Sequence, residues 1–185
     1  MEQCDESDEW LMAQVASGKR DRLSVLLRRY ASPLLTFIRR MTGDLHQSEE
    51  LFQDVFLAVW IGRHKYQYPR SFRAWLFGIA ARKCRAEFRK RAHAGRVCDE
   101  QSVAEVLATD SSPAEVAVAA ETAALVAAAI ARLPRRQRTV VVLRHWNGLS
   151  YAEIADVVGR TEATVRSHMF HGLAAIRKYL EPRLQ

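Results

Sequence analysis

Cysteine is scarce in this chain, and its pattern excludes two classes of protein. Cys4, Cys84 and Cys98 are odd in number and have no CxxC spacing. They do not form a disulfide framework and read as reduced thiols of an intracellular protein. A metal set is missing too. His168 and His171 stand three apart on one helical stretch, but no cysteine or carboxylate nearby completes a ligand group. No run of 18 uncharged apolar residues exists to cross a membrane. The acidic start, MEQCDESDEW, lacks the apolar core of a signal peptide. Nor is there a glycine-rich phosphate loop or a nucleophile–base pair. The expectation is a non-enzymatic protein without metal or cofactor, and without membrane insertion.

What the chain does have is positive charge, unevenly spread. Over 185 residues the net charge is +7 and the pI about 9.7, which favours a polyanionic partner. An apolar content of 49% supports packed cores. Residues 63–91 carry ten Lys or Arg against one acid, Glu87, whereas residues 92–131 carry one Arg against six acids. A helix that merely faces solvent mixes its signs, and a one-sided run repels itself unless an anion neutralises it. Two basic parts joined by an acidic connector fit two contacts on one polyanion. They equally fit an acidic segment that keeps the two parts closed on each other.

Helical signals follow one another along the chain. Ser7 caps a short helix ended by Gly18. Asp21–Tyr30 is amphipathic, and Pro33 starts or kinks a helix closed by Gly43. Residues 47–61 form a helix with Leu51, Phe52, Val55, Phe56 and Val59 on its apolar face and Glu49, Glu50, Gln53 and Asp54 on its polar face. Residues 62–70, GRHKYQYPR, read as a loop. Ser71 caps a long helix that is apolar almost all round at first and basic from Arg82 to Arg91. Cations interleaved with Tyr66, Tyr68, Phe72 and Trp75 suit single-stranded nucleic acid, although Phe72 and Trp75 also sit at core spacing and core is the favoured role for Trp75. Residues 92–112 read as a flexible linker. Ser112 and Glu115 form a capping box for a helix running to about Arg132, and Pro134 opens the next. Leu133, Val140, Val141 and Leu143 should pack beneath the C-terminal helices.

The final stretch, residues 150–180, carries the clearest motif. Ser150 and Glu153 make a capping box, Gly159 ends one helix and Thr161 caps a second. Val165, Met169, Leu173, Ile176 and Leu180 recur as a buried face, which turns Glu162, Ala163, Arg166, Ser167, Phe170 and His171 outward. Two helices around a tight turn, the second with a polar and basic outer face, suggest a DNA-binding helix-turn-helix; an ordinary αα-hairpin has the same outline.

The run from LPRRQRTVVVLRHW to HGLAAIRKYL resembles region 4 of bacterial sigma factors, and RRYASPLLTFIRRM through FRAWLFGIAARKCRAEFRKR resembles region 2. Both together, in this order and at this length, resemble an extracytoplasmic-function (group four, sigma-70 family) RNA polymerase sigma factor. The resemblance implies an all-α chain of two small helical domains, 1–91 and 113–185, joined by the linker 92–112. It implies an alternative sigma factor that binds core RNA polymerase (beta-prime and beta subunits), directs it to promoter DNA and helps melt it. Polymerase binding would fall to Glu50, Gln53 and Asp54, with Leu51 and Phe56 packing. Minus-ten DNA would be held by Tyr66, Tyr68, Arg70, Phe72, Arg73, Arg82, Lys83, Arg85 and Arg89, which capture a flipped base and track the backbone. Minus-thirty-five DNA would be read by Ser150, Thr161, Glu162, Thr164, Arg166, Ser167, His168 and His171. An anti-sigma factor would cover these faces. The place of action would be the bacterial cytoplasm, where such a partner can hold the protein at the inner membrane.

Departures from the family pattern are Arg82 (often Asn), Ala86 (often Asp), Thr161-Glu162-Ala163 (commonly Pro-Glu-Gly), and His168 and His171 (basic). They bear on which promoter is read. A stand-alone helix-turn-helix regulator is the other reading, and a protein that binds single strands through residues 63–91 is a third.

Overall fold

The computed structural model describes residues 6–93 and 113–183, with side chains for 6–93 and 120–183. The described residues form helices and no strand. α1 is Asp8–Ala16, α2 Asp21–Thr42, α3 Leu45–Ile61 and α4 Phe72–His93; α5 is Pro113–Ala131, α6 Arg135–His145, α7 Tyr151–Val158 and α8 Glu162–Leu180. The expected capping box at Ser112 and Glu115 lies outside the residues with described side chains, as does most of 92–112, although α4 continues to His93. None of the described helices is long and apolar enough to cross a membrane.

Local signals explain most boundaries. Ser7 accepts from the Trp10 amide at 3.2 Å and starts α1. α2 runs unbroken through Pro33 and ends at Gly43, whose φ of +73° suits only the residue without a Cβ. Asp44 begins α3 two residues before the expected start. Its carboxylate accepts from the Gln47 amide at 3.0 Å and from Arg91 at 3.1 Å, and these bonds hold it below the usual aspartate range. Within 62–70 one 3-10 turn, Arg63–Lys65, precedes a cis Tyr68–Pro69 peptide. Ser71 accepts from the Ala74 amide at 3.2 Å to open α4.

α1–α4 wrap around Phe37, Phe72, Phe77, Leu34 and Leu76, all essentially fully buried. Edge-on contacts join Phe37 to Phe77 (5.4 Å between centroids) and Tyr30 to Phe72 (5.3 Å). In the second half α6 is the floor on which α7 and α8 rest. Leu133, Val140, Val141 and Leu143 are buried there, as expected. The buried face of α8 differs from the expectation. Leu173 is 42% exposed, and Gly172 takes the inward place between Met169 and Ile176. The reason is spacing: 165, 169, 172 and 176 follow 3.6 residues per turn, and 173 falls one position past the stripe. Gly172 is also required by contact, since a Cβ there would meet the Val141 Cγ2 at 2.8 Å.

The two halves are packed together, with buried residues of both forming one contiguous cluster. α7 lies along α4, and α6 lies against α2. Arg138 of α6 donates to the Met41 carbonyl (3.1 Å), and Asn147 donates to that of Pro33 (3.2 Å). The Arg40 guanidinium covers Trp146 at 4.1 Å, and Arg135 covers Phe88 at 4.2 Å.

Candidate polymerase and nucleic-acid interfaces

On α3 the residues at 50, 54, 57 and 61 share one outward face by helical spacing. Glu50 and Asp54 are its polar end; Leu57 (55% exposed) and Ile61 (68%) are its apolar end. Gln53 also lies at the surface. Leu51 and Phe56 are in the core instead, at 6% and 7% exposure, where they hold the helix in place. An acidic face thus runs into exposed leucine and isoleucine. Helical periodicity sets Leu57 and Ile61 opposite the inward stripe, and that is the signal for them in the sequence.

The residues assigned to minus-ten DNA do not share one environment. Tyr66 and Phe72 are buried; Tyr66 packs edge-on with Phe72 and with Trp75, and Phe72 meets Trp75 at a tilt. The Tyr66 hydroxyl donates to the Arg70 carbonyl, closing the loop on itself. Burial pushes the Tyr66 hydroxyl well above its ordinary pKa, so it stays a donor. These two rings shape the loop. Tyr68, 61% exposed, is the ring free to meet a base. Arg82, Arg85 and Arg89 are exposed along α4 at helical spacing, forming the basic track. Lys83 turns toward α3 and pairs with Asp54 at 3.0 Å, so the two assigned surfaces touch.

Arg70 and Arg73 meet carboxylates of the helix-turn-helix. Arg70 lies 3.5 Å from Asp156 and Arg73 3.5 Å from Glu153, while the Ser71 hydroxyl donates to Glu153 at 2.9 Å. Glu153 completes the capping box at the same time, accepting from the Ser150 amide at 2.9 Å while Ser150 Oγ accepts from the Glu153 amide at 3.2 Å. Desolvation pushes its carboxyl up, but the Ser150 amide, the Ser71 and Ser150 hydroxyls and Arg73 together outweigh this and hold it below the ordinary glutamate value. On the other side of the loop, Glu9 of α1 accepts from the Phe72 amide at 3.1 Å.

The minus-thirty-five set stays largely open. Glu162, Arg166, Ser167 and His171 are exposed on α8, with Phe170 (70%) among them. Arg166 pairs with Glu162 at 3.4 Å and stacks on Tyr151 at 4.4 Å, which aims its guanidinium along the outer face. Tyr151 carried no sequence signal for this, because its role depends on the turn bringing α7 under α8. Thr161 caps α8 through the Thr164 amide at 3.3 Å, and the two hydroxyls lie 3.0 Å apart, so both are engaged in the turn. His168 departs from its neighbours: it is half-buried and faces a cavity shared with α4 and α6. Among the described residues no group of His, Cys, Asp or Glu is placed to hold a metal.

Comparison with known proteins identifies the family. Residues 26–94 match the family described as Sigma-70 region 2, and residues 123–176 match Sigma-70, region 4. The chain is 30% identical to the ECF RNA polymerase sigma factor SigL of Mycobacterium tuberculosis over 176 residues, covering 90% of this chain and 93% of that protein. It is 29% identical to the RNA polymerase sigma-H factor of Pseudomonas aeruginosa over 189 residues, 97% of each. Among solved structures, CnrH in complex with the cytosolic domain of CnrY superposes with a TM-score of 0.72 at 26% identity, covering 96% of this chain and 99% of that one. RpoE of Bartonella quintana, solved with the anti-sigma factor NepR, shares the fold with a TM-score of 0.71 at 18% identity, covering 85% and 96%. The chain belongs to the extracytoplasmic-function family of RNA polymerase sigma factors.

Proposed function

We propose that the chain is an alternative sigma factor whose first part, 1–91, docks on core RNA polymerase and opens the minus-ten element, and whose last part, 113–185, reads minus-thirty-five duplex, with 92–112 as the tether. The observation that carries this is the coexistence of three surfaces: the acidic-apolar face of α3, the basic track of α4 and the outward face of α8. A stand-alone helix-turn-helix regulator would have no use for the first two. Strand opening draws on binding energy: a captured base must replace its lost stacking. Tyr68 supplies an exposed ring, and Arg82, Arg85 and Arg89 supply phosphate contacts.

The packed arrangement adds a condition. Asp156 and Glu153 pair with Arg70 and Arg73, the two cations that this reading assigns to DNA phosphates. Promoter opening therefore requires α7 to leave α4, whereas the α8 face can meet duplex beforehand. On this reading the protein acts in the bacterial cytoplasm, and an anti-sigma partner binds the α3 face or holds the two parts together. The test is co-purification with core polymerase followed by promoter binding. A 1:1 complex that binds fragments core polymerase alone does not supports the proposal, and DNA binding without polymerase association refutes it.

A further inference from the structure

Where the two parts meet, a cavity of about 270 Å³ opens between α4, α6 and the α7–α8 turn. Its basic lining is Arg85, Arg135, Arg136 and Arg160, with the His168 ring beside them, and among the described residues no acid lines it. Its floor is apolar, made by Met41, Phe88, Val140 and Val158 with smaller side chains. Arg135 is committed to the Phe88 ring. Arg85, Arg136 and Arg160 have no carboxylate partner among the described residues; Arg160 reaches only the Gly159 carbonyl, at 3.5 Å.

These cations come from different elements, and docking α6–α8 on α4 brings them together. Like charges converging on one cleft oppose the closure that creates it, unless an anion enters. A phosphoryl group has about two charges and three acceptor oxygens, which suits several guanidiniums better than a single carboxylate does. The apolar floor calls for a planar or apolar body attached to it.

We infer that this cavity binds a small phosphate-bearing anion of the nucleoside-phosphate class, and that the bound anion holds the two parts together. The volume is on the scale of one small ligand. Arg85 and His168 belong to the surfaces assigned to promoter DNA. On that assignment, occupancy would also lower promoter engagement, because Glu153 and Asp156 stay on Arg73 and Arg70.

The test uses the full chain at constant ionic strength. Calorimetric titration with ADP, pyrophosphate, adenosine and sulfate reads binding. Hydrogen exchange of residues 72–93 and 135–145 reads closure. We expect ADP to bind saturably at 1:1, pyrophosphate to bind more weakly because it leaves the apolar floor uncovered, and adenosine and sulfate to give no saturation. ADP should slow exchange in both segments. Arg136→Gln with Arg160→Gln should weaken ADP binding on the order of tenfold or more. Neither residue belongs to the assigned DNA sets, and circular dichroism reads whether the variant folds; Arg136→Gln alone serves if the pair does not. No saturable binding, or equal binding by the native chain and the variant, would overturn the inference, and equal affinity for ADP and pyrophosphate would overturn the nucleoside part. These readouts need neither polymerase nor promoter, so their failure leaves the sigma assignment standing.

Discussion

Glu153→Ala combined with Ser71→Ala probes the contact that joins the two packed halves. Each residue also has a local duty: Ser71 caps α4 and Glu153 completes the α7 capping box. A double-mutant cycle cancels those duties and leaves the coupling across the interface. A hydrogen bond to a charged acceptor contributes about 1.5–3 kcal/mol when fully buried. The Glu153 side chain is 23% exposed, so about 1–2 kcal/mol is the expected coupling. The Arg73 pair, at 3.5 Å with Arg73 39% exposed, adds well under about 1 kcal/mol. If the minus-ten surface binds only when α7 has left, apparent affinity scales with the open fraction. A gain of about 1.4 kcal/mol in opening then raises affinity for a minus-ten non-template oligonucleotide about tenfold. Fluorescence anisotropy with such an oligonucleotide measures this, and Ser150→Ala, which removes cap energy of about 1 kcal/mol, is the control that should not raise affinity. Strict additivity of the two substitutions, or unchanged oligonucleotide affinity, would refute the reasoning. The sign of the pH effect comes from the lowered Glu153 carboxyl. Its contribution is complete above the unfolded glutamate value, about 4.3, and is lost as pH falls through the lower folded value, so closure weakens only in acid.

The remaining predictions concern the α8 packing, the α3 face and the outer face of α8. Gly172→Ala should destabilise the second part by about 1–2 kcal/mol in urea unfolding, because the strain of driving a methyl into buried Val141 exceeds the roughly 1 kcal/mol of helix propensity gained. Leu57→Ala with Ile61→Ala should leave stability within about 0.5 kcal/mol yet weaken core-polymerase binding by about tenfold, while Leu51→Ala should cost about 2–5 kcal/mol of stability first; thermal melts beside polymerase titrations separate the two. Tyr151→Leu should reduce minus-thirty-five duplex affinity several-fold with a smaller loss of stability, since it removes the ring under Arg166, and Arg166→Ala should cost about 1–3 kcal/mol and relax base preference.

Helix positions were legible because their ends carry local chemistry. Ser7, Gly43, Ser150 with Glu153, Gly159 and Thr161 act within three or four residues of themselves, and all are found in those roles. The start of α3 was less so, since Asp44 draws on Arg91 from another helix. Leu51 and Phe56 show a different limit. The same inward stripe that identifies α3 had already committed them to the core, and the face left over at Glu50, Asp54, Leu57 and Ile61 was the surface available to a partner. Aromatic residues among cations in 62–75 looked alike in sequence, but only packing separates buried Tyr66 and Phe72 from exposed Tyr68. Gly172 was masked by its apolar neighbour Leu173, one position off the true stripe. The joining of Ser71 to Glu153 was beyond sequence reading altogether. It links residues 82 apart through tertiary packing, and neither has a local pattern that points to the other.

The most direct test of the sigma assignment is run-off transcription with core RNA polymerase, the purified chain and genomic fragments, with start sites mapped. Starts are predicted at a fixed distance downstream of a shared pair of elements. Arg166→Ala should impair recognition of the upstream element, and Tyr68→Ala should impair opening at the downstream one. Polymerase that starts at the same sites with and without the chain would contradict the assignment.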